Sequence, residues 1–113
     1  PCGVAVSPDG GALFVADSHN HKIRRVEVAT GAVTTLAGSG AYGDADGVGD
    51  AAQFYYPRGI AISPDGGALF VADLGNHKIR RVEVGEVATG AVTTVAGSGT
   101  AGSADGVGGA AQF

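Results

Sequence analysis

Short apolar runs and turn-forming residues alternate along this chain. In its first part, "GVAVS" is followed by Pro-Asp-Gly-Gly, "ALFVAD" by the polar "SHNH", "KIRRVEV" by Ala-Thr-Gly and "AVTTLA" by Gly-Ser-Gly. Short β-branched segments separated by turn residues every ~8 to 12 positions are typical of all-β folds. The pattern therefore predicts four antiparallel strands, at residues 3–7, 12–17, 22–28 and 32–37.

The whole pattern occurs twice. Residues 1–28 return as 57–84, and 29–54 return as 88–113, with ten differences among the 54 aligned positions and an insertion of "GEV" between the two halves of the second copy. A long repeat of this kind is typical of solenoids and propellers. We therefore expect two units, residues 1–56 and 57–113, each with four strands and a long glycine-rich connection.

The strands do not alternate cleanly between apolar and polar positions. All residues of "ALFVA" are apolar, and Ile23 and Val26 of the third strand fall on opposite faces. A sheet that is covered on both faces does not need alternation. The pattern predicts four-stranded sheets packed between neighbours, as in the blades of a propeller.

The sequence resembles the NHL-repeat family of β-propellers. The resemblance spans both copies and is most specific in P-x-G-[VI]-A-[VI]-S-P-D-G, [LF]-V-A-D and N-H-K-I-R-R. The Asn-His-Leu triplet that gives the family its name appears in both turns with lysine in place of leucine, at Asn20-His21-Lys22 and Asn76-His77-Lys78. The resemblance implies a propeller of about six blades around a channel. It also implies a scaffold that binds partners, mostly proteins, through loops on a propeller face.

Two blades cannot close a ring, so we expect an incomplete propeller that needs further blades. One hypothesis is that the chain is a segment of a longer propeller. The absence of methionine and the start and end of the chain inside a Phe-x-x-Pro junction favour this hypothesis. The alternative is a homo-oligomer in which three two-bladed chains assemble head to tail into a closed ring. In both cases the expected anchors of the blade junction are Pro1, Phe54, Tyr55, Tyr56, Pro57 and Phe113, with "AAQF" forming a helical turn.

Basic residues are concentrated in the two "HKIRR" segments, which hold six of the seven lysines and arginines of a chain with a net charge of −4. Since some NHL propellers bind RNA through a basic face, one hypothesis is a basic stripe that contacts RNA. The net acidity and the lack of interleaved aromatic residues weigh against it, and we expect no nucleic-acid partner. We favour charge pairs between blades, in which an arginine meets the aspartate that ends the second strand, or Glu27 or Glu83. The candidates are Asp17, Arg24, Arg25, Asp73, Arg80 and Arg81.

The acidic segment "GDADGVGD" has the spacing of a cation-binding loop, with Asp44, Asp46 and Asp50. Its counterpart, "GSADGVGG", keeps only Asp105. A calcium loop also needs a further oxygen ligand where Val48 stands and a glutamate at its end. We therefore interpret both segments as connections and expect no metal.

The histidines fall in the turns after the second strand. Some relatives of this architecture are lyases or lactonases with a metal on the propeller axis, but His19 is replaced by Gly75 in the other copy, and His21 and His77 lie in surface turns. No serine, histidine and aspartate constellation, phosphate-binding loop or CxxC motif is present. We therefore expect no catalytic, cofactor or metal site, and a scaffold that is not an enzyme.

Two further observations limit the classes of function. No apolar run approaches the ~20 residues of a membrane helix, so we expect no membrane partner. A single cysteine, Cys2, leaves the redox compartment open.

Overall fold

The protein consists of two antiparallel sheets. The computed structural model describes residues 3–84 and 90–113. The first sheet contains β1 (Val4–Val6), β2 (Ala12–Asp17), β3 (Lys22–Glu27) and β4 (Val33–Ala37), in that spatial order. The second contains β6 (Pro57–Ile62), β7 (Ala68–Asp73), β8 (Lys78–Glu83) and β9 (Ala91–Ala96), with the two-residue β5 (Gly47–Val48) at its outer edge. The predicted all-β fold of two propeller blades, incomplete as a ring, is confirmed.

The short strand β5 is a feature that the sequence did not predict. Its two residues follow the first sheet in sequence but pair with Val92 and Ala91 of β9. The connection that leaves β4 therefore reaches the outer edge of the second blade before the chain enters β6 at the inner edge. This connection ties the two blades together.

Local hydrogen bonds fix the turn between the first two strands of each blade. The Asp9 Oδ1 accepts hydrogen bonds from the Gly11 N–H at 2.8 Å and the Ser7 hydroxyl at 2.7 Å. These donors, with the Gly11 amide first, hold the pKa of Asp9 below its usual value. Asp65 has the same environment, in which the Ser63 hydroxyl is the larger cause of its lowered pKa.

Helical turns separate the other elements. The turns Ser18–Asn20 and Leu74–Asn76 link the second and third strands and end at histidines in the left-handed conformation. In the connection between the blades, the helical turn lies at Gly49–Ala51, and Ala52 is already extended. The predicted turn at "AAQF" is therefore wrong in register, because the left-handed Gly49 (φ 58°) starts the turn two residues earlier.

The same hexapeptide, "ALFVAD", buries opposite faces in the two blades. In β2, Phe14 is buried, at 5% exposure, whereas Phe70 at the same position of β7 is 38% exposed. Conversely, Leu69 and Val71 are fully buried, while their counterparts in β2 are only partly covered. Each blade therefore has one face covered by the other blade and one face open.

One hydrophobic core runs through both blades. It includes residues of the facing sheets and two residues of the connection, and its members are Ala12, Phe14, Ala16, Ile23, Ala37, Ala52, Phe54, Leu69, Val71, Val82, Val84 and Val92. Strands β1 and β2 lie against β6. Within the described ranges, no helix is both long and apolar enough to cross a membrane.

Candidate functional site at the blade junction

Two equivalent segments leave the outer strands of the blades. We call residues 38–56 the first connector and residues 97–113 the second connector. The first connector crosses to the second blade and covers the start of its third strand. The second connector follows β9, and no blade lies beneath it within the described residues.

A buried ion pair in the second blade lies under the first connector. Asp73 and Arg80 have fully buried side chains, and the Arg80 Nη1 lies 2.9 Å from the Asp73 Oδ2. Asp73 also accepts hydrogen bonds from the Tyr55 N–H at 2.8 Å and the Asn76 Nδ2 at 2.7 Å. Burial raises the pKa of Asp73, and these hydrogen bonds oppose the effect. The carboxylate is thus held by donors from its own blade and from the connector.

The Arg80 guanidinium binds the first connector directly. Its Nη1 donates to the Gln53 carbonyl at 2.9 Å, and its Nη2 donates to the Ala45 carbonyl at 3.0 Å. The Nη2 also pairs with the Asp46 carboxylate at 2.8 Å. The guanidinium carbon lies 5.2 Å from the centroid of the buried Phe54 ring, in cation–π geometry. We call these four connector residues the clasp: Ala45, Asp46, Gln53 and Phe54.

Further contacts extend the clasp along the turn after β7. The Gly75 N–H donates to the Tyr55 carbonyl at 2.7 Å, and the Asn76 side chain donates to the Gly43 carbonyl at 2.7 Å. A Cβ at Gly75 would lie 2.5 Å from the Tyr55 ring. This close approach requires glycine at a position where the first blade has His19.

The acidic segment serves this junction. Asp46 accepts from Arg80 and from the Thr94 hydroxyl, and Asp44 lies 3.4 Å from the Lys78 ammonium. These carboxylates are neutralised by side chains of the second blade. In the described part of the chain, no three or more His, Cys, Asp or Glu side chains are grouped as metal ligands.

The first blade repeats the ion pair without a connector. The Arg24 Nη1 lies 3.2 Å from the Asp17 Oδ2, and Asn20 donates to the same carboxylate at 3.0 Å. The Arg24 side chain is 29% exposed, whereas that of Arg80 is 0% exposed. Both pairs therefore join residues of a single blade. The Asp73–Arg80 pair also binds the first connector, whereas the hydrogen bonds of the Asp17–Arg24 pair stay within the first blade in the described part of the chain.

The other two candidate arginines lie elsewhere. Arg25 and Arg81 are partly exposed and pair with Glu27 and Glu83 of their own strands. Arg25 is the cross-strand partner of Phe14, so it lies on the face of the first blade that the second blade covers, and it lines a cavity between the blades with Glu27 and Val84. Arg81 is the cross-strand partner of Phe70 and lies on the open face of the second blade. Five of the six basic residues in the "HKIRR" segments have carboxylate partners, namely Arg24, Arg25, Lys78, Arg80 and Arg81.

The predicted anchors lie in different environments. Phe54 and Pro57 are fully buried at the junction, Tyr55 is half-buried and Tyr56 is exposed. Phe113, the counterpart of Phe54, is 50% exposed. Pro1 lies outside the described residues.

An aromatic cluster surrounds the junction on its solvent side, and sequence reasoning missed it. Tyr42 stacks on Tyr55 at 4.8 Å between centroids, and Tyr55 contacts Tyr56 at 5.3 Å. The His21 ring lies 4.8 Å from Tyr56, and its Nδ1 accepts the Tyr56 backbone N–H at 3.1 Å. His19 completes the cluster at 5.9 Å from Tyr56. The only sequence signal was that all three tyrosines lie in the first connector.

Comparison with known proteins identifies the repeats. The sequence profile described as the NHL repeat matches residues 1–26 and 54–82, which cover the first three strands of each blade. The chain belongs to the NHL-repeat family. Protein SUPPRESSOR OF QUENCHING 1, chloroplastic, from Arabidopsis thaliana is 43% identical over 84 residues, covering 74% of this chain and 8% of that protein. Human NHL repeat-containing protein 2 is 39% identical over 88 residues, covering 74% of this chain and 12% of that protein.

Solved structures confirm the blade architecture. An auxiliary nutrient binding protein from Bacteroides thetaiotaomicron matches 97% of this chain with a TM-score of 0.79 and 28% identity, and the match covers 29% of that protein. This NHL-family chain therefore spans only a small part of the proteins it resembles. Enzymes also share the fold, since a PQQ-bound aldose sugar dehydrogenase from Streptomyces coelicolor matches 84% of this chain and 29% of its own length, with a TM-score of 0.57 and 27% identity.

Proposed function

We propose that this chain is a two-bladed scaffold unit of an NHL-repeat propeller that binds a protein partner through its loop face. The observation that carries the proposal is the aromatic cluster at the blade junction. Tyr42 is 65% exposed and Tyr56 is 41% exposed, and both are held by neighbouring rings. Tyrosine is enriched in protein interfaces because it offers a large apolar ring with a polar tip at a small entropic cost.

The charge arrangement supports a protein partner over RNA. Most of the repeated basic residues are paired with carboxylates, so they do not form a free cationic stripe. RNA binding requires unpaired cations that can replace counterions on phosphates. Asp44 and Asp46 of the first connector pair with Lys78 and Arg80, so these two carboxylates are not free to act as the ligands of a propeller lyase or lactonase.

Selection of a random peptide library displayed on phage tests the proposal. We expect enriched peptides to bind the wild-type chain and a Val28→Ser control equally, because Val28 is exposed and lies at the end of β3 opposite to His21. The Tyr42→Ser/Tyr56→Ser variant should lose the peptides while retaining the wild-type melting temperature. Peptides that bind the tyrosine variant with unchanged affinity would contradict the proposal. Salt-sensitive binding of a labelled single-stranded RNA would favour the RNA alternative.

A second candidate function is self-assembly into a closed propeller. The observation that favours it is that each blade has one open face, and that these two open faces correspond to the two faces that pack together inside the chain. The first blade exposes part of Arg24, and the second blade exposes Phe70 and Phe113. In this second candidate function, the further blades belong to identical subunits. In the first candidate function, they belong to the same, longer chain.

A further inference from the structure

We infer that the second connector of one chain docks on the first blade of another copy and closes over its Asp17–Arg24 pair. This inference rests on the second candidate function, self-assembly, and names the surfaces that join one copy to the next. The contact between the first connector and the second blade is its internal template. The four clasp residues, and the aspartate, asparagine and arginine that they cover, are present again on the two open ends of the chain.

The second connector is already folded in the conformation of the first. In the first connector, the Ser39 N–H donates to the Ala52 carbonyl at 3.0 Å, and the Gln53 N–H donates to the Ala45 carbonyl at 2.9 Å. The corresponding bonds in the second connector join Ser98 to Ala111 at 2.8 Å and Gln112 to Ala104 at 2.9 Å. Docking therefore requires little ordering of the backbone, which removes a large entropic cost of association.

The clasp residues are conserved between the connectors of this chain while other positions differ. The connectors differ at four of the 17 aligned positions, 38–54 against 97–113, and none of the four is a clasp residue. The second clasp consists of Ala104, Asp105, Gln112 and Phe113. Asp105 and Phe113 are exposed, and no hydrogen bond or ion pair occupies the Asp105 carboxylate within the described residues.

The receiving surface on the first blade has the complementary chemistry. Asp17, Asn20 and Arg24 repeat the arrangement of Asp73, Asn76 and Arg80. The Arg24 Nη1 pairs with Asp17 at 3.2 Å, and the Arg24 side chain remains 29% exposed. In the template, both terminal nitrogens of the guanidinium donate to the connector. Arg24 therefore offers donors to the two carbonyls and the carboxylate that the second clasp exposes.

The sheet faces next to these groups are also complementary. The face around Phe14 packs on the face around Val71 inside the chain. The two open faces of the chain correspond to this packed pair. The open face of the second blade carries Phe70, the counterpart of Phe14, and the open face of the first blade carries Val33. Val33 is 50% exposed, while its counterpart Val92 is 2% exposed. A contact between different surfaces of two copies propagates head to tail, and three chains supply the six blades of a closed ring.

Sedimentation velocity of the full chain over a range of concentrations tests the inference. We expect reversible association that ends at three chains. Phe113→Ser should weaken it by about tenfold or more, because a buried aromatic anchor is lost. The matched control is Val107→Ser, since Val107 is 91% exposed and its counterpart Val48 stays 58% exposed in the template. Asp105→Arg should weaken association by repelling Arg24, and Asp50→Arg, the same charge change at another exposed aspartate, should not.

Three outcomes would overturn the inference. One is a folded chain that stays monomeric at every concentration, which would mean that the receiving surface on the first blade binds blades of another sequence. Another is association that Val107→Ser weakens as much as Phe113→Ser does, which indicates unspecific apolar contact. The third is association that Asp105→Arg leaves unchanged. Peptide binding by the aromatic cluster is measured in a separate experiment that does not depend on association of the chains. The proposed protein-binding function can therefore fail or stand independently of the sedimentation results.

Discussion

Phe14 and Phe70 occupy the same position of the same hexapeptide, yet one lies in the core and the other faces solvent. Phe14 is 5% exposed because the second blade covers its face, and Phe70 is 38% exposed because no blade follows on that side in the described residues. The local sequences are identical, so the difference arises from packing alone. This asymmetry allows each residue of one blade to serve as an internal control for the other.

The two ion pairs should contribute unequally to stability. Asp73→Ala leaves the buried Arg80 without its main partner, and we expect a loss of ~3–5 kcal/mol. Asp17→Ala removes a pair that is partly exposed, and we expect a loss of about 1 kcal/mol or less. Urea unfolding followed by circular dichroism measures both. Equal losses of stability would contradict the finding that, of the two pairs, the Asp73–Arg80 pair is the one bound by the first connector.

The two connector phenylalanines form a second matched pair. Phe54→Ala removes a fully buried ring from the core and should cost ~3–5 kcal/mol. Phe113→Ala alters a half-exposed ring and should cost only about 0.5 kcal/mol under monomeric conditions. Thermal unfolding at low protein concentration checks the difference. A similar melting temperature for the two variants would show that the first connector does not anchor the blades as described.

Gly75 should not tolerate a side chain. The Cβ of Gly75→Ala would meet the Tyr55 ring and carbonyl, and relieving this overlap should cost ~1–3 kcal/mol. The reverse exchange, His19→Gly in the first blade, removes only the edge contact of the His19 ring with Tyr56 and creates no overlap, so it serves as the comparison. Urea unfolding of both variants distinguishes a requirement for glycine beside Tyr55 from a general preference of this turn for one residue type. Wild-type stability of Gly75→Ala would contradict the position of Tyr55.

Stability in acid should depend on the turn aspartates. Their folded pKa values are lowered from 3.8, so the stabilisation is complete above that value and is lost as the pH falls through the lowered pKa. The Asp9→Asn/Asp65→Asn variant should therefore be less stable than the wild type near neutral pH and equally stable in strong acid. Asp73 acts in the opposite sense, since its raised pKa favours folding as the pH falls towards 3.8. Unfolding free energies at a series of pH values provide the test, and a difference independent of pH would contradict it.

The strands and the family were predictable from sequence because turn residues mark every strand end. Asp9 and Asp65 hydrogen-bond their own turns, so local chemistry alone fixes these positions. In the first blade, no predicted strand end lies more than one residue from the observed end, as at β1, which is Val4–Val6 within the predicted 3–7.

The junction was only partly predictable, because it depends on contacts between residues distant in sequence. Asp17 and Asp73 have identical neighbours on one side, so no local pattern separates the exposed pair from the buried one. Strand β5 is a glycine and a valine in a loop, and only the edge of β9 makes it a strand. The aromatic cluster joins a turn of the first blade to residues more than 20 positions away, which the sequence cannot reveal without the fold.

Hydrogen exchange of the two connectors reports whether the second blade holds the first connector in place. The Gly43 and Gly102 amides donate equivalent hydrogen bonds to the carbonyls of Phe54 and Phe113, at 3.1 and 3.2 Å, but among the described residues only the first connector also contacts the blade that follows it. In mass-spectrometric exchange under monomeric conditions, we expect slower exchange in residues 38–54 than in residues 97–113. Equal exchange rates in the two connectors would contradict the claim that the second blade holds the first connector in place.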